Sequence, residues 1–351
     1  MAAPTVPSDV LHPLSMACFT LDYRREGSPL QVVAKRFSDP KNHVRSDDPS
    51  AITILLASGI GLTTELWIPM IKQLYLLNAA RDTPARIRSV WGVDCPNHGD
   101  AGILNEAYLK EHFAEHFSLH EYGNAIKSLV TSGLLTTEER SNLVALGHCG
   151  GAAGIVSSAL GDAQVSYRTL ILVEPPWLSP EALPAFEKLV DRIRLYSSMK
   201  PRVWPSIEEA MEFAMAYPPS KSWHPDALDV MAKTSFRKVL PSGDCEGGVG
   251  SKTTVEQEVA TFARSEDAFE ASHLLRPIIR KTPTHLVLGA RQDFWPKPIN
   301  KVLSNIVESH RVDLASVSVV DSAGHYIPQE KPGDLAGVVF QVLAVRGSAK
   351  L

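Results

Sequence analysis

The stretch Gly147-His148-Cys149-Gly150-Gly151 follows an apolar run, 143–146, and precedes a run of small residues, 152–156. This order predicts a strand, a sharp turn and a helix, the pattern of a nucleophile elbow with Cys in place of the usual Ser. Glycines on both sides suit a turn whose strained backbone requires close neighbours without a Cβ atom. The N-terminal end of the following helix is expected to favour a thiolate at Cys149.

The composition excludes several classes of protein. The 351 residues are 44% hydrophobic and 21% charged, which is ordinary for a soluble globular protein. A formal net charge of −4 gives no sign of a nucleic-acid-binding surface. The four cysteines are scattered and the histidines at 112, 116 and 120 lack an accompanying carboxylate cluster, so we expect no metal site and no cofactor. The longest weakly polar stretch, 143–160, contains the elbow, so we expect no membrane span.

Strand patterns alternate with helical patterns along most of the chain. The predicted strands are 19–23, 31–36, 52–57, 90–94, 143–146, 169–173, 285–288 and 316–320. We therefore predict an α/β fold with a mostly parallel, eight-stranded sheet flanked by helices. Its core comprises 17–176 and 276–346, and a mostly helical lid, 177–275, is inserted after strand 6. Segment 241–251 is predicted to be a mobile loop, and 347–351 a flexible targeting tail.

Two residues downstream could serve a Cys nucleophile, which needs a base and a group that orients the base. Asp293 follows the predicted strand 285–288, and His325 follows strand 316–320 after a glycine. The order nucleophile, acid, histidine is the one expected when all three lie at the carboxyl ends of sheet strands. Glu174, after strand 169–173, is the alternative acid.

These motifs resemble those of the α/β-hydrolase superfamily over nearly the full length of the chain. The resemblance rests on Ser58-Gly59-Ile60-Gly61, on 94–99, on 147–151 and on the two downstream residues. The Cys elbow and the C-terminal Ala349-Lys350-Leu351 most resemble the fungal peroxisomal hydrolases of toxin and secondary-metabolite biosynthesis, of the AK-toxin type.

The resemblance implies a role for each residue at the site. Cys149 is the nucleophile, His325 the base and Asp293 the orienting acid, and the backbone N–H groups of Gly150 and Ile60 form the oxyanion hole. The fold and the aromatic lid further indicate where substrate binds. The residues expected to contact it are Ser58, Gly59, His98, Trp177, Trp204, Trp295 and Tyr326.

The expected function is cleavage or transfer of an acyl group from an ester or thioester, such as an acyl-coenzyme A, through an acyl-Cys intermediate. An acyltransferase or cyclase that forms C–C, C–N or lactone bonds with the same triad is one alternative. A non-catalytic ligand-binding protein is another. The final Ala-Lys-Leu resembles the peroxisomal Ser-Lys-Leu address, which predicts recognition by the peroxisomal import receptor; without it the protein would be cytoplasmic.

Overall fold

A computed structural model describes residues 6–22, 29–80, 85–160, 165–216, 219–241 and 246–344. The whole of the predicted tail, 347–351, which includes the C-terminal tripeptide, lies outside these ranges. Eight strands form one sheet: β1 (Ser15–Asp22), β2 (Gln31–Ser38), β3 (Ile52–Ala57), β4 (Ile87–Val93), β5 (Leu143–His148), β6 (Thr169–Val173), β9 (Thr284–Gly289) and β10 (Ser316–Val320). Their spatial order is β1-β2-β4-β3-β5-β6-β9-β10.

The sheet is mostly parallel, as the sequence predicts. Only β1 with β2 and β2 with β4 pair antiparallel. Every residue of β3, β4 and β5 is buried, which is the pattern of strands covered on both faces. Because these parallel strands end at the same edge, the residues that follow β3, β5, β6, β9 and β10 are brought together there.

Helices cover both faces of the sheet. The helices of the described residues are α1 (Ser8–Leu11), α2 (Ile68–Asn78), α3 (Gly99–Leu104), α4 (Glu106–His112), α5 (Leu119–Thr131), α6 (Thr137–Ser141), α7 (Gly150–Ser158), α8 (Leu183–Met199), α9 (Ile207–Ala216), α10 (Pro225–Thr234), α11 (Val255–Phe262), α12 (Ser265–Lys281), α13 (Lys297–His310), α14 (Ile327–Glu330) and α15 (Pro332–Ala344). On one face, α5, α7 and α12 pack together through Leu129, Ile155 and Leu275. On the other face, α2 packs against α15 through Met70 and Val339.

The chain between β6 and β9 carries α8 to α12 and a small hairpin, β7 (Phe236–Val239) with β8 (Gly248–Ser251). The hairpin corrects the prediction of a loop over 241–251, although 242–245 lie outside the described residues. Two consecutive glycines, Gly247 (φ 85°) and Gly248 (φ 143°), bring the backbone into β8 with angles that other residues rarely adopt. Val249 also bridges to Trp204. The pattern was missed because the strands have only four residues each.

Candidate active site

Cys149 occupies the sharp turn between β5 and α7. Its backbone angles, φ 50° and ψ −123°, are strained for a residue with a side chain, and its N–H donates to the carbonyl of Val173 over 3.0 Å. Neighbouring glycines permit the turn. A Cβ on Gly147 would lie 2.7 Å from Cα of Ala152, and one on Gly151 would overlap the backbone of Ala57. The elbow geometry expected from the sequence is therefore present.

Two backbone N–H groups face the sulfur of Cys149, those of Gly150 and Ile60. Burial raises the pKa of the thiol to about 12, although both N–H groups act to lower it. The same two donors were expected to form the oxyanion hole. A Cβ on Gly150 would come 2.7 Å from Cγ1 of Ile60, so a glycine is needed for the two donors to lie this close.

His325 lies at the same sheet edge, in the loop after β10. Its imidazole stacks on Phe294 with ring centroids 4.3 Å apart, and Trp295 meets it edge-on at 5.2 Å. Trp295 also packs in one buried cluster with Cys149. Within the described residues the Cys149 sulfur makes no hydrogen bond to the imidazole, a contact that often forms only when substrate binds.

The carboxylate that contacts the imidazole of His325 belongs to Glu174. Its Oε2 lies 3.1 Å from Nδ1 of His325, and its Oε1 accepts the N–H of Gly289 at 2.8 Å. Glu174 follows β6 directly, at an unusual φ of 46°. Sequence reasoning held this residue as the alternative acid.

Asp293, the first choice from the sequence, contacts the backbone instead. Its Oδ1 accepts the N–H of His325 at 3.1 Å, and its Oδ2 pairs with Arg291 at 3.2 Å. Arg291 also pairs with Glu330, whose Oε2 accepts the N–H of Gly324. A Cβ on Gly324 would overlap the Asp293 carboxylate. Asp293 therefore holds the loop of His325 while Glu174 holds the ring.

Burial sets the charge state of the site. It lowers the pKa of His325 to about 3, although the carboxylates of Asp293 and Glu330 act in the opposite direction. It raises the pKa of Glu174 to about 8, with Asp293 adding to the rise and the Gly289 N–H opposing it. At neutral pH the resting site therefore holds a neutral thiol and a neutral imidazole. This differs from the thiolate that the helix end was expected to favour, because desolvation outweighs the two N–H groups.

Three cavities adjoin the site, and one of them, about 260 Å³, is lined by Glu174, Asp293 and His325 themselves. The large cavity, about 730 Å³, is lined by apolar residues such as Leu189, Ile193 and Phe262, together with Trp295 and Tyr326. The small cavity, about 110 Å³, is lined by Ile60, Tyr326, Trp204 and Trp223, among others. Three residues expected to bind substrate, Trp204, Trp295 and Tyr326, therefore border these cavities. Sequence reasoning counted Trp223 among the aromatic residues of the lid but did not single it out, because it follows no motif.

The other residues expected to bind substrate are engaged in the interior. The side chain of Ser58 accepts a hydrogen bond from the Trp67 indole at 3.0 Å, and Gly59 packs against the ring of His148. Trp177 is buried in the core. Nδ1 of His98 lies 2.6 Å from the Asn97 side chain, and burial lowers the pKa of His98 to about 3. These positions follow strand ends, but neighbouring side chains cover them.

His148, inside the elbow, supports His325 from below. Its Nε2 lies 2.9 Å from the backbone carbonyl of His325, and the two rings are 5.1 Å apart. Burial lowers the pKa of His148 to about 3, so it donates to that carbonyl as a neutral ring.

No helix of the described residues has the length and apolar character needed to cross a bilayer, and those residues contain no cluster of three or more His, Cys, Asp or Glu suited to a metal ion.

Comparisons with known proteins agree with this architecture. The peroxisomal α/β-hydrolase Lpx1 of Saccharomyces cerevisiae is similar in structure, with a TM-score of 0.67 and 16% identity over 96% of this chain and 92% of that one. A thioesterase domain from the curacin biosynthetic pathway has a TM-score of 0.62 and 17% identity over 93% of this chain and 99% of that one. An esterase of M. tuberculosis has a TM-score of 0.60 and 17% identity over 93% of this chain and 92% of that one. At these identities the likeness concerns the fold.

No curated protein sequence matches the chain significantly. The family model described as "Alpha/beta hydrolase family" matches residues 54–338, which span β3 to α15 and include the elbow, Glu174 and His325. The chain belongs to the alpha/beta hydrolase family.

Proposed function

We propose that this protein cleaves or transfers the acyl group of an ester or thioester through an acyl-Cys149 intermediate, with His325 as the base and Glu174 as the orienting acid. The observation that carries the proposal is the convergence on one sheet edge of a strained Cys149, two N–H donors facing its sulfur and a histidine bonded to a buried carboxylate.

The proposed reaction begins with a neutral thiol. As Sγ of Cys149 forms its bond to the carbonyl carbon, Nε2 of His325 takes the thiol proton. The carbonyl oxygen becomes negative and accepts hydrogen bonds from the N–H groups of Gly150 and Ile60. His325 then gives its proton to the departing alcohol or thiol as the carbon–oxygen or carbon–sulfur bond breaks.

The acyl thioester is resolved by a second nucleophile. Water, or an alcohol, amine or thiol acceptor, loses its proton to His325 while attacking the acyl carbon. The bond to sulfur breaks and Cys149 regains a proton from His325. Hydrolysis and acyl transfer therefore use the same residues and differ only in the acceptor, and an internal acceptor on the acyl chain gives a cyclic product.

The substrate class follows from the large cavity. Its lining is mostly apolar and suits a sizeable acyl group. The exposed cations Arg192 and Lys221 also border it and could pair with phosphates of a coenzyme A carrier, whereas Glu258, on the same cavity, would repel them. We therefore propose acyl-coenzyme A thioesters as donors. This is tested by comparing the hydrolysis of an acyl-coenzyme A with that of the uncharged N-acetylcysteamine thioester of the same acid. The double variant Arg192→Ala, Lys221→Ala should raise KM for the acyl-coenzyme A and leave KM for the N-acetylcysteamine thioester unchanged.

A ligand-binding protein without catalysis is the second candidate, favoured by the raised pKa of Cys149 and by its lack of a hydrogen bond to His325. Incubation with acyl thioesters, followed by product analysis in wild type and Cys149→Ala, separates the two. Turnover that disappears in the variant supports the enzyme, whereas equal release in both proteins supports the binding protein.

The peroxisomal location and the lid boundaries are also proposals. The location rests on Ala349-Lys350-Leu351 and, through the resemblance, fits a role in fungal secondary metabolism. A fluorescent protein ending in residues 340–351 should enter peroxisomes, and the same fusion without the last three residues should stay in the cytosol.

The lid, 177–275, corresponds to α8 to α11, the hairpin and part of α12.

A further inference from the structure

The small cavity lies directly beside the proposed reaction centre. Ile60, whose N–H faces the Cys149 sulfur, lines one part of it, and Tyr326, next to His325, lines another. Tyr326 and Glu258 line the large cavity as well, so the two cavities adjoin each other. A group held in the small cavity would therefore belong to a substrate whose carbonyl is at Cys149.

Two tryptophan residues distinguish the lining of the small cavity. Trp204 and Trp223 line it and are only 5% and 7% exposed, yet neither Nε1 has a hydrogen-bond acceptor among the described residues. An indole N–H can only donate, and a buried donor without an acceptor is costly. Packing holds both rings in place: Trp204 meets Phe236 edge-on at 6.1 Å, and Trp223 lies 5.9 Å from Tyr326.

The charges around the small cavity indicate that its ligand is an uncharged hydrogen-bond acceptor. Glu258 lines it and would repel a carboxylate or phosphate, while Lys200, which also lines it, lies 4.0 Å from Glu258 and is paired with it. A ketone oxygen satisfies an indole donor without bringing a charge into this space.

We propose that the small cavity is a subsite for a carbonyl oxygen on the acyl chain, held by the indole N–H groups of Trp204 and Trp223, so that the enzyme prefers oxo-acyl substrates. This inference rests on the proposed function and specifies its substrate. The cavity, at about 110 Å³, admits only a short part of the chain, so the oxygen lies within a few bonds of the scissile carbonyl.

Kinetics with matched esters test the subsite. The p-nitrophenyl esters of hexanoic, 4-oxohexanoic and 5-oxohexanoic acid differ only in one carbonyl group. One hydrogen bond should give the better oxo ester about a twofold to tenfold advantage in kcat/KM, after correction for the uncatalysed rates. Trp204→Phe or Trp223→Phe should abolish that advantage, measured within each variant as the ratio of kcat/KM for the oxo ester to kcat/KM for the plain ester. Phe213→Leu, which alters another lining residue in contact with Trp204 but removes no donor, should keep the advantage.

A binding measurement keeps the inference testable apart from turnover. The N-methylamides of the same acids cannot be cleaved readily. In the protein labelled with ¹⁵N, the indole N–H signals of Trp204 and Trp223 should shift downfield with an oxo amide and not with N-methylhexanamide. The subsite is overturned if neither oxo ester is preferred, if the preference survives both Trp variants, or if neither indole signal moves. Failure of the plain ester to acylate Cys149 would instead overturn the proposed function.

Discussion

Oε2 of Glu174 lies 3.1 Å from Nδ1 of His325, although the two residues are 151 positions apart in the chain. The other oxygen of Glu174 is fixed by the backbone N–H of Gly289. The carboxylate therefore joins three strand ends, those of β6, β9 and β10. This contact decides which tautomer of the imidazole is present, and with it whether Nε2 is free to take a proton.

Replacing Glu174 by Gln should disable the base. The single oxygen of the amide will stay on the fixed N–H of Gly289, so its NH₂ group will face Nδ1 of His325. The imidazole must then carry its proton on Nε2, the wrong tautomer, and we expect kcat/KM to fall by about 10⁴.

The matched control is Asp293→Asn, whose oxygen still accepts the backbone N–H of His325. In this variant kcat/KM should fall by less than about tenfold, which is the effect of losing one ordinary hydrogen bond. Steady-state kinetics of both variants check the assignment, and it is contradicted if the Asp293 variant is the more damaged one.

The dependence of kcat/KM on pH should reveal the ionisation of Glu174. Below its pKa of about 8 the protonated carboxyl donates to Nδ1 and leaves the proton of His325 on Nε2, so the base is blocked. Above that pH the ionised carboxylate accepts from Nδ1 and frees Nε2. We therefore expect kcat/KM to rise with pH, with a midpoint near 8. The pKa of His325, about 3, lies far below this range and should not appear in it.

The Gln variant provides the control for the profile, because an amide does not titrate. Its residual activity should lose the midpoint near 8. A wild-type rate that stays constant from pH 5 to 9 would show that Glu174 is already ionised in the resting enzyme.

The proposed oxyanion hole should be sensitive to a single methyl group. A Cβ on Gly150 would lie 2.7 Å from Cγ1 of Ile60, so Gly150→Ala should push Ile60 and its N–H away from the site. Loss of one such donor typically lowers kcat by about 10² to 10³.

Gly337→Ala is the matched control, because nothing lies within 4 Å of a Cβ at that position. It should leave kcat unchanged. Circular dichroism of both variants checks that the fold is retained. A Gly150 variant with wild-type kcat would remove these donors from the mechanism.

A buried ionic cluster supports the loop after β4. Nζ of Lys35 lies 2.7 Å from Glu65, 2.9 Å from Asp94 and 2.8 Å from Asp100, and Lys35 is fully buried. Burial alone would lower its pKa, but the three carboxylates hold it well above the usual value. Lys35→Met leaves Glu65 and Asp94 without their cation, while Asp100 keeps Lys252 at 2.8 Å, and should lower the free energy of unfolding by about 3 to 5 kcal/mol.

Urea unfolding of this variant measures the effect. The exposed Lys301, changed to Met, is the control and should stay within about 0.5 kcal/mol of wild type. Equal stabilities of the two variants would show that the cluster contributes nothing.

The sequence was sufficient for the fold and the elbow, because both depend on local patterns. Long buried strands such as β3 carry an unbroken apolar run, and the turn at Cys149 needs its flanking glycines. The choice between Glu174 and Asp293 could not be made in the same way. Both follow a strand at one sheet edge, and only the path of each side chain in three dimensions decides which carboxylate reaches the imidazole.

The substrate-binding residues were the hardest to predict. Trp204, Trp295 and Tyr326 border the cavities, whereas Ser58 and Trp177 follow strand ends equally well but are covered by neighbours. Trp223 could not be singled out, because its position beside Tyr326 arises from the packing of α10 against the residues that follow β3. Desolvation of the Cys149 thiol likewise depends on burial, which a motif does not report.

In the proposed mechanism the sulfur of Cys149 carries the acyl group during turnover. This intermediate can be detected by intact-mass spectrometry of protein mixed with an acyl-coenzyme A and quenched in acid within milliseconds to seconds. We predict a mass increase equal to that of the acyl group, located on the peptide that contains Cys149 and absent in Cys149→Ala. Turnover without any adduct on that peptide, or an adduct and turnover that persist in Cys149→Ala, would contradict the account.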